Sequence, residues 1–137
     1  MPPIPARDAM VNLYVRDVEG LAAFYREAFG FAETFRTPRD GPPVHVELRL
    51  GAFVLGFASI AAAKAMHGLP LASEPAGPPR GEIALWTEDV DAAAAALVAR
   101  GARLVSPPHD FIGTLRAAWL ADPEGNHIQL VAKLPAA

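Results

Sequence analysis

Not one of the 137 residues is cysteine, which excludes disulfides, thiolate metal sites and a cysteine nucleophile. Any chemistry has to rest on His, Asp, Glu, Arg, Tyr or a cofactor. Charge of one sign is scarce as well. Twelve Lys and Arg stand against 15 Asp and Glu, the net charge is −3, and no run of like charge offers a nucleic-acid footprint. Nucleic acid is therefore not expected as a partner. No stretch reaches the ~18–20 consecutive apolar residues of a membrane span, and the opening MPPIPARDAM lacks the basic and apolar regions of a signal peptide. The expectation is a cytoplasmic protein with no membrane partner. What is abundant is apolar side chain, 52% of a chain about one domain long, enough to bury a core.

The chain repeats itself. Leu13-Tyr-Val-Arg-Asp-Val18 recurs 72 residues later as Leu85-Trp-Thr-Glu-Asp-Val90. Each is a short β-rich run with an aspartate, Asp17 or Asp89, where a helix N-cap belongs. After the first, Leu21, Phe24, Tyr25, Ala28 and Phe29 recur at helical spacing and Gly30 follows as a stop. After the second, Val90, Ala93, Ala94, Leu97 and Val98 form the stripe and Gly101 the stop. Strand-like runs follow at 32–37, 44–50 and 52–58 in the first copy, and at 103–106, 114–120 and 126–132 in the second. His109 and Asp110 read as a loop. The last strands align Gly51-Ala-Phe-Val-Leu55 with Gly125-Asn-His-Ile-Gln129, at an offset of 74.

Each copy thus reads β-α-β-β-β, with modules at about 8–58 and 81–133. The linker over 59–80 holds a short helix at 60–67 and a Pro- and Gly-rich stretch. A module of about 55 residues with one helix leaves one sheet face bare, so the two are read as a single domain spanning 1–137. The paired unit resembles the glyoxalase/bleomycin-resistance/extradiol-dioxygenase family, also called vicinal oxygen chelate proteins. "LYVRDVEGLAAFYREAFGF" opens the first copy and "DPEGNHIQLV" closes the second. The resemblance implies an α+β fold in which two βαβββ modules form curled mixed sheets around a cleft. It also implies pairing of two copies, and the run AFVLGFA, apolar on both faces, agrees with a homodimer.

In metal-dependent members of that family, ligands come from the first and last strand of each module. The repeat puts those positions at Met10 and Glu82, and at Leu55 and Gln129. Only Glu82 and Gln129 offer oxygen to a divalent ion, Met10 offers a soft thioether, and Leu55 offers nothing. No metal and no other cofactor is therefore expected. Met10, Asn12 and Tyr14 alternate along the first strand, and Glu82 and Trp86 occupy the matching places in the second copy. With Phe53, Leu55 and Phe57 they would line a largely apolar small-molecule pocket, and His127 and Gln129 share one face of the last strand. The preferred reading is metal-independent binding of a small, partly aromatic organic molecule, such as an antibiotic or secondary metabolite, in the manner of resistance proteins. The alternative is an isomerase, lyase or dioxygenase of the same fold, either holding a metal at Glu82 and Gln129 or using Glu82 as a general base. Glu82 is read otherwise as pairing with an arginine such as Arg116 or Arg49, or as meeting a cationic or hydrogen-bond-donating ligand. The DPEG turn is given no chemical role.

Overall fold

The computed structural model describes residues 1–74 and 77–136, so residues 75 and 76 of the linker lie outside the described residues. The chain divides into two compact units, Met1–Ser73 and Glu74–Ala137. The first contains β1 (Val11–Val15), α1 (Val18–Phe29), β2 (Ala32–Thr37), β3 (His45–Leu50), β4 (Phe53–Ser59) and α2 (Ile60–His67), with strand order β1-β4-β3-β2. The second contains β5 (Glu82–Trp86), α3 (Val90–Ala99), β6 (Arg103–Phe111), β7 (Leu115–Ala121) and β8 (His127–Lys133), ordered β5-β8-β7-β6. In both sheets the first strand pairs in parallel with the last and the remaining pairs are antiparallel. The α+β architecture of two βαβββ modules stands as read from the sequence. No helix among the described residues is long and apolar enough to cross a membrane.

Local chemistry sets the helix ends. Asp17, Ser59 and Asp89 each accept a hydrogen bond from a backbone amide three residues on, at 2.9, 3.1 and 3.0 Å, satisfying one otherwise orphaned donor per helix. Gly30 ends α1 in the left-handed region (φ 75°) that a Cβ would strain. Beneath α1 lies an aromatic core. The ring of the fully buried Tyr25 sits 5.3 Å from Phe24, 5.4 Å from Phe57 and 5.9 Å from Phe31. In the second unit, Val90, Ala94 and Leu97 of α3 are buried along with Ile83, Leu120, Ile128 and Leu130 of the sheet. The stripe is narrower than predicted, because Val98 is 47% exposed.

One strand is longer than its sequence suggests. β6 runs on to Phe111, through Pro107 and Pro108, where the periodicity predicts an end at 106. It is an edge strand, where a missing N–H is tolerated, and its pairing with β7 shifts register across the prolines. His109 and Asp110 therefore lie on a strand and not in a loop.

Two exposed ion-pair clusters tie helix to sheet. Arg36 of β2 donates to Glu19 of α1 and, at 2.8 Å, to Glu33, which also accepts from Arg26 at 3.0 Å. Arg116 of β7 donates to Asp91 of α3 at 2.7 and 2.9 Å and to Asp110 at 2.8 Å. Hydrogen bonding from Arg36 holds the Glu19 and Glu33 carboxyls below the usual glutamate value of 4.5. A carboxyl lowered on folding stabilises fully above its unfolded value, and that contribution is lost as pH falls through the lowered one. Glu33→Gln should therefore reduce stability near pH 7 by no more than about 1 kcal/mol, with the gap from wild type closing as pH drops below 4.5. Urea unfolding at a series of pH values reads this directly.

Candidate functional site

Each sheet has one face on its helix and one turned away. In the first unit the register lays out the open face in rows. Asn12, Gly56, Glu47 and Phe35 form one, and Tyr14, Ala58, His45 and Thr37 form the next. Met10, Asn12 and Tyr14 do share this face. Gly56 is needed beneath them, because a Cβ there would collide with the Asn12 amide oxygen and come within 2.8 Å of the Met10 methyl.

Leu55 and Phe57 belong to the opposite side. Both are fully buried, and Phe57 packs on Tyr25 of α1. Phe53 points the same way and contacts Phe31 at 6.4 Å. None of the three lines the open face, which corrects their assignment to the pocket. The cause is a one-residue slip between copies. Asn12 pairs with Gly56, whereas Ala84, its counterpart 72 residues on, pairs with Gln129, so the last strands correspond at an offset of 73 and not 74. Gly56, not Leu55, stands where Gln129 stands. In a strand, one residue of slip moves every side chain to the other face.

Above the Tyr14 row of the first sheet lies a pocket of about 370 Å³. Tyr14, Thr37, His45 and Ala58 make its floor, and Ala62, Ala63, Met66 and His67 of α2 close it. The Ser59 cap fixes where α2 leaves β4. At the edge of the pocket, His45 Nε2 lies 3.0 Å from Glu47 Oε2, and the His45 ring is 6.0 Å from Phe35.

The open face of the second sheet carries the other predicted residues. Glu82 is beside His127, Gln129 lies between Ala84 and Trp119, and Trp86 lies across Val131 and Ala117 from His109. Glu82 is exposed, and its Oε1 accepts a hydrogen bond from the Trp119 indole at 3.1 Å. The anticipated pairing with Arg116 does not form, because Arg116 faces α3 and is engaged by Asp91 and Asp110. Trp119 in turn stacks on His109, with centroids 5.9 Å apart and planes 22° from parallel, and Phe111 extends the row at 6.2 Å. His109 Nδ1 is 2.7 Å from the Pro107 carbonyl, which can only accept, so Nδ1 carries a proton.

Trp119 and His109 are the residues that the sequence does not single out. Trp119 was within reach: the DPEGN turn makes β7 and β8 a hairpin, which sets the register that puts residue 119 opposite Gln129. His109 was hidden by the two prolines before it.

These residues do not fit a resident divalent ion. At the positions the family uses, Met10 offers a soft thioether, Gly56 has no side chain, Glu82 is engaged by an indole, and Gln129 adds one neutral oxygen. Among the described residues no group of three His, Cys, Asp or Glu converges to hold a metal.

Comparison with known proteins bears on the fold and the superfamily. A glyoxalase/bleomycin resistance protein/dioxygenase family enzyme from Burkholderia phytofirmans PsJN is 28% identical, with a TM-score of 0.79 over 94% of this chain and 100% of that one. TioX from Micromonospora sp. ML1 is 24% identical, with a TM-score of 0.70 over 94% and 100%. A lactoylglutathione lyase from Agrobacterium tumefaciens is 19% identical, with a TM-score of 0.67 over 94% and 95%. The latter two likenesses concern the fold. No curated protein matches. The sequence model of one superfamily spans residues 9–130, and with the paired βαβββ modules it establishes that the chain belongs to the glyoxalase/bleomycin resistance protein/dioxygenase superfamily.

Proposed function

We propose that this protein binds a small, partly aromatic organic molecule without a metal ion. An antibiotic or other secondary metabolite is the ligand class that fits. The observation that carries the reading is a substitution of chemistry: Met10 and Gly56 stand at family ligand positions, while Glu82 holds an indole in place of a cation. Aromatic surface remains open beside these residues, with Tyr14 49% and Trp86 65% exposed. An exposed ring on the open face of each sheet favours a planar ligand by stacking. The Trp119–His109 pair, anchored by Glu82, is already ordered, so a ligand need not pay for fixing it.

The test is a tryptophan-fluorescence titration of the chelator-treated protein against a panel of planar aromatic compounds. Saturable quenching is expected, with the compound recovered unchanged. Trp119→Leu should weaken binding by about tenfold, the scale of one lost stacking contact. Glu82→Gln should leave a neutral ligand nearly unaffected and weaken a cationic one. Consumption of the compound that is lost in Glu82→Gln would instead identify an enzyme with Glu82 as its base, and binding that requires an added divalent ion would overturn the metal-free reading.

A further inference from the structure

The pocket beneath α2 has a feature that plain apolar binding does not use. His45 forms part of its floor, yet its ring is also held from the side by Glu47, one row away on the same strand, at 3.0 Å. A carboxylate accepts hydrogen bonds and does not donate them, so this contact puts a proton on His45 Nε2. In the neutral ring, Nδ1 is then the bare acceptor. A histidine whose tautomer is set by a carboxylate is a directed hydrogen-bond acceptor, and its direction is further limited by the Phe35 ring 6.0 Å away.

The rest of the pocket divides in two. Val44, Ala58, Ala62, Ala63, Met66 and Leu69 give it an apolar body, while Asn12, Tyr14, Thr37 and His45 gather polar groups on the sheet side and His67 adds one from α2. The Ser59 hydroxyl is already engaged as the α2 cap. Its volume, about 370 Å³, lies within the range of small-ligand pockets, ~300–1,000 Å³.

We propose that this pocket is a binding site for a neutral aromatic compound carrying a phenol-type hydroxyl, with His45 Nδ1, set by Glu47, accepting the hydroxyl hydrogen. The assignment rests on the metal-free binding reading and narrows its ligand class.

The experiment compares 2-naphthol with 2-methoxynaphthalene, which has the same rings and no donor, by isothermal titration of the full chain. Nitrogen-15 spectra of the histidine rings are recorded alongside. Wild type should prefer 2-naphthol by about tenfold, the scale of one hydrogen bond to a half-buried acceptor. His45→Phe, which keeps the ring and loses the acceptor, should bind both compounds alike. In Glu47→Gln the preference should shrink, because an amide can face His45 with either its oxygen or its N–H₂ and no longer dictates the tautomer. The spectra should show Nε2 of His45 protonated, and the Nδ1 signal should move on adding 2-naphthol. Equal affinity of wild type for the two compounds would overturn the inference while leaving metal-free aromatic binding intact. A preference that survives in His45→Phe, a proton found on Nδ1, or no binding of 2-naphthol at about 1 mM would overturn it too. The broader reading is judged separately, by the quenching of tryptophan in the second module.

Discussion

Replacing Phe57 with alanine lowers the free energy of unfolding by about 3–5 kcal/mol, the cost of deleting a fully buried aromatic ring. Phe57 is 0% exposed and lies 5.4 Å from the ring of Tyr25, which also touches Phe24 and Phe31. Removing it opens a hole in the middle of this cluster, and neighbouring rings held by α1 and the residues just after it have little freedom to collapse into it. Urea unfolding followed by circular dichroism gives the number. The same measurement discriminates between the two faces of β4. A residue lining an open pocket would lose ligand affinity on truncation and change stability by no more than about 0.5 kcal/mol. Phe57 should do the reverse, with any fall in affinity tracking the unfolded fraction.

Asp122→Ala is expected to cost about 3 kcal/mol, an unusually large loss for a turn residue. The side chain is only 4% exposed and organises the DPEGN turn from within. Its carboxylate accepts from the backbone amides of Glu124 and Asn126 at 2.9 and 3.0 Å, and from the Asn126 side chain at 3.1 Å. Alanine leaves those donors without the partner they were desolvated to meet, which costs more than a neutral exchange with water. Asp122→Asn retains one carbonyl oxygen in place and should recover more than half of the loss. Thermal unfolding of the three proteins checks the order. The turn also sets the start of β8, so the alanine variant should weaken whatever ligand depends on His127 and Gln129.

The fold was legible because its signals are local. Aspartate caps, a glycine stop and apolar residues at helical spacing set α1 without reference to any distant residue, and α2 is found over the residues that the sequence predicts. The faces of β1, β5 and β8 were equally readable, since alternation alone separates Asn12 from Leu13 and Gln129 from Leu130. What failed was the face of β4. Its partner β1 is parallel, and a parallel pair is joined by a long crossover, here through α1, β2 and β3, so no tight turn fixes which residues stand opposite. Matching Gly51 to Gly125 places the glycines correctly and leaves the pairing one residue out, which is sufficient to put Leu55 and Phe57 on the wrong side. Glu82 shows a different limit. Its partner Trp119 comes from β7, two strands away in the sheet and 37 residues away in sequence, and only the assembled sheet brings them together.

The strand order has a consequence for synthesis on the ribosome. In each sheet the strand made last is inserted between strands already present: β4 between β1 and β3, and β8 between β5 and β7. Until residue 127 and its successors emerge, β5 has no neighbour in its own sheet and the buried face of β7 lacks Ile128 and Leu130. A message truncated only a few codons before β8 would thus yield a product with its second sheet split in two, apolar and open to proteolysis. The protein withholds its second core until its final strand has been read.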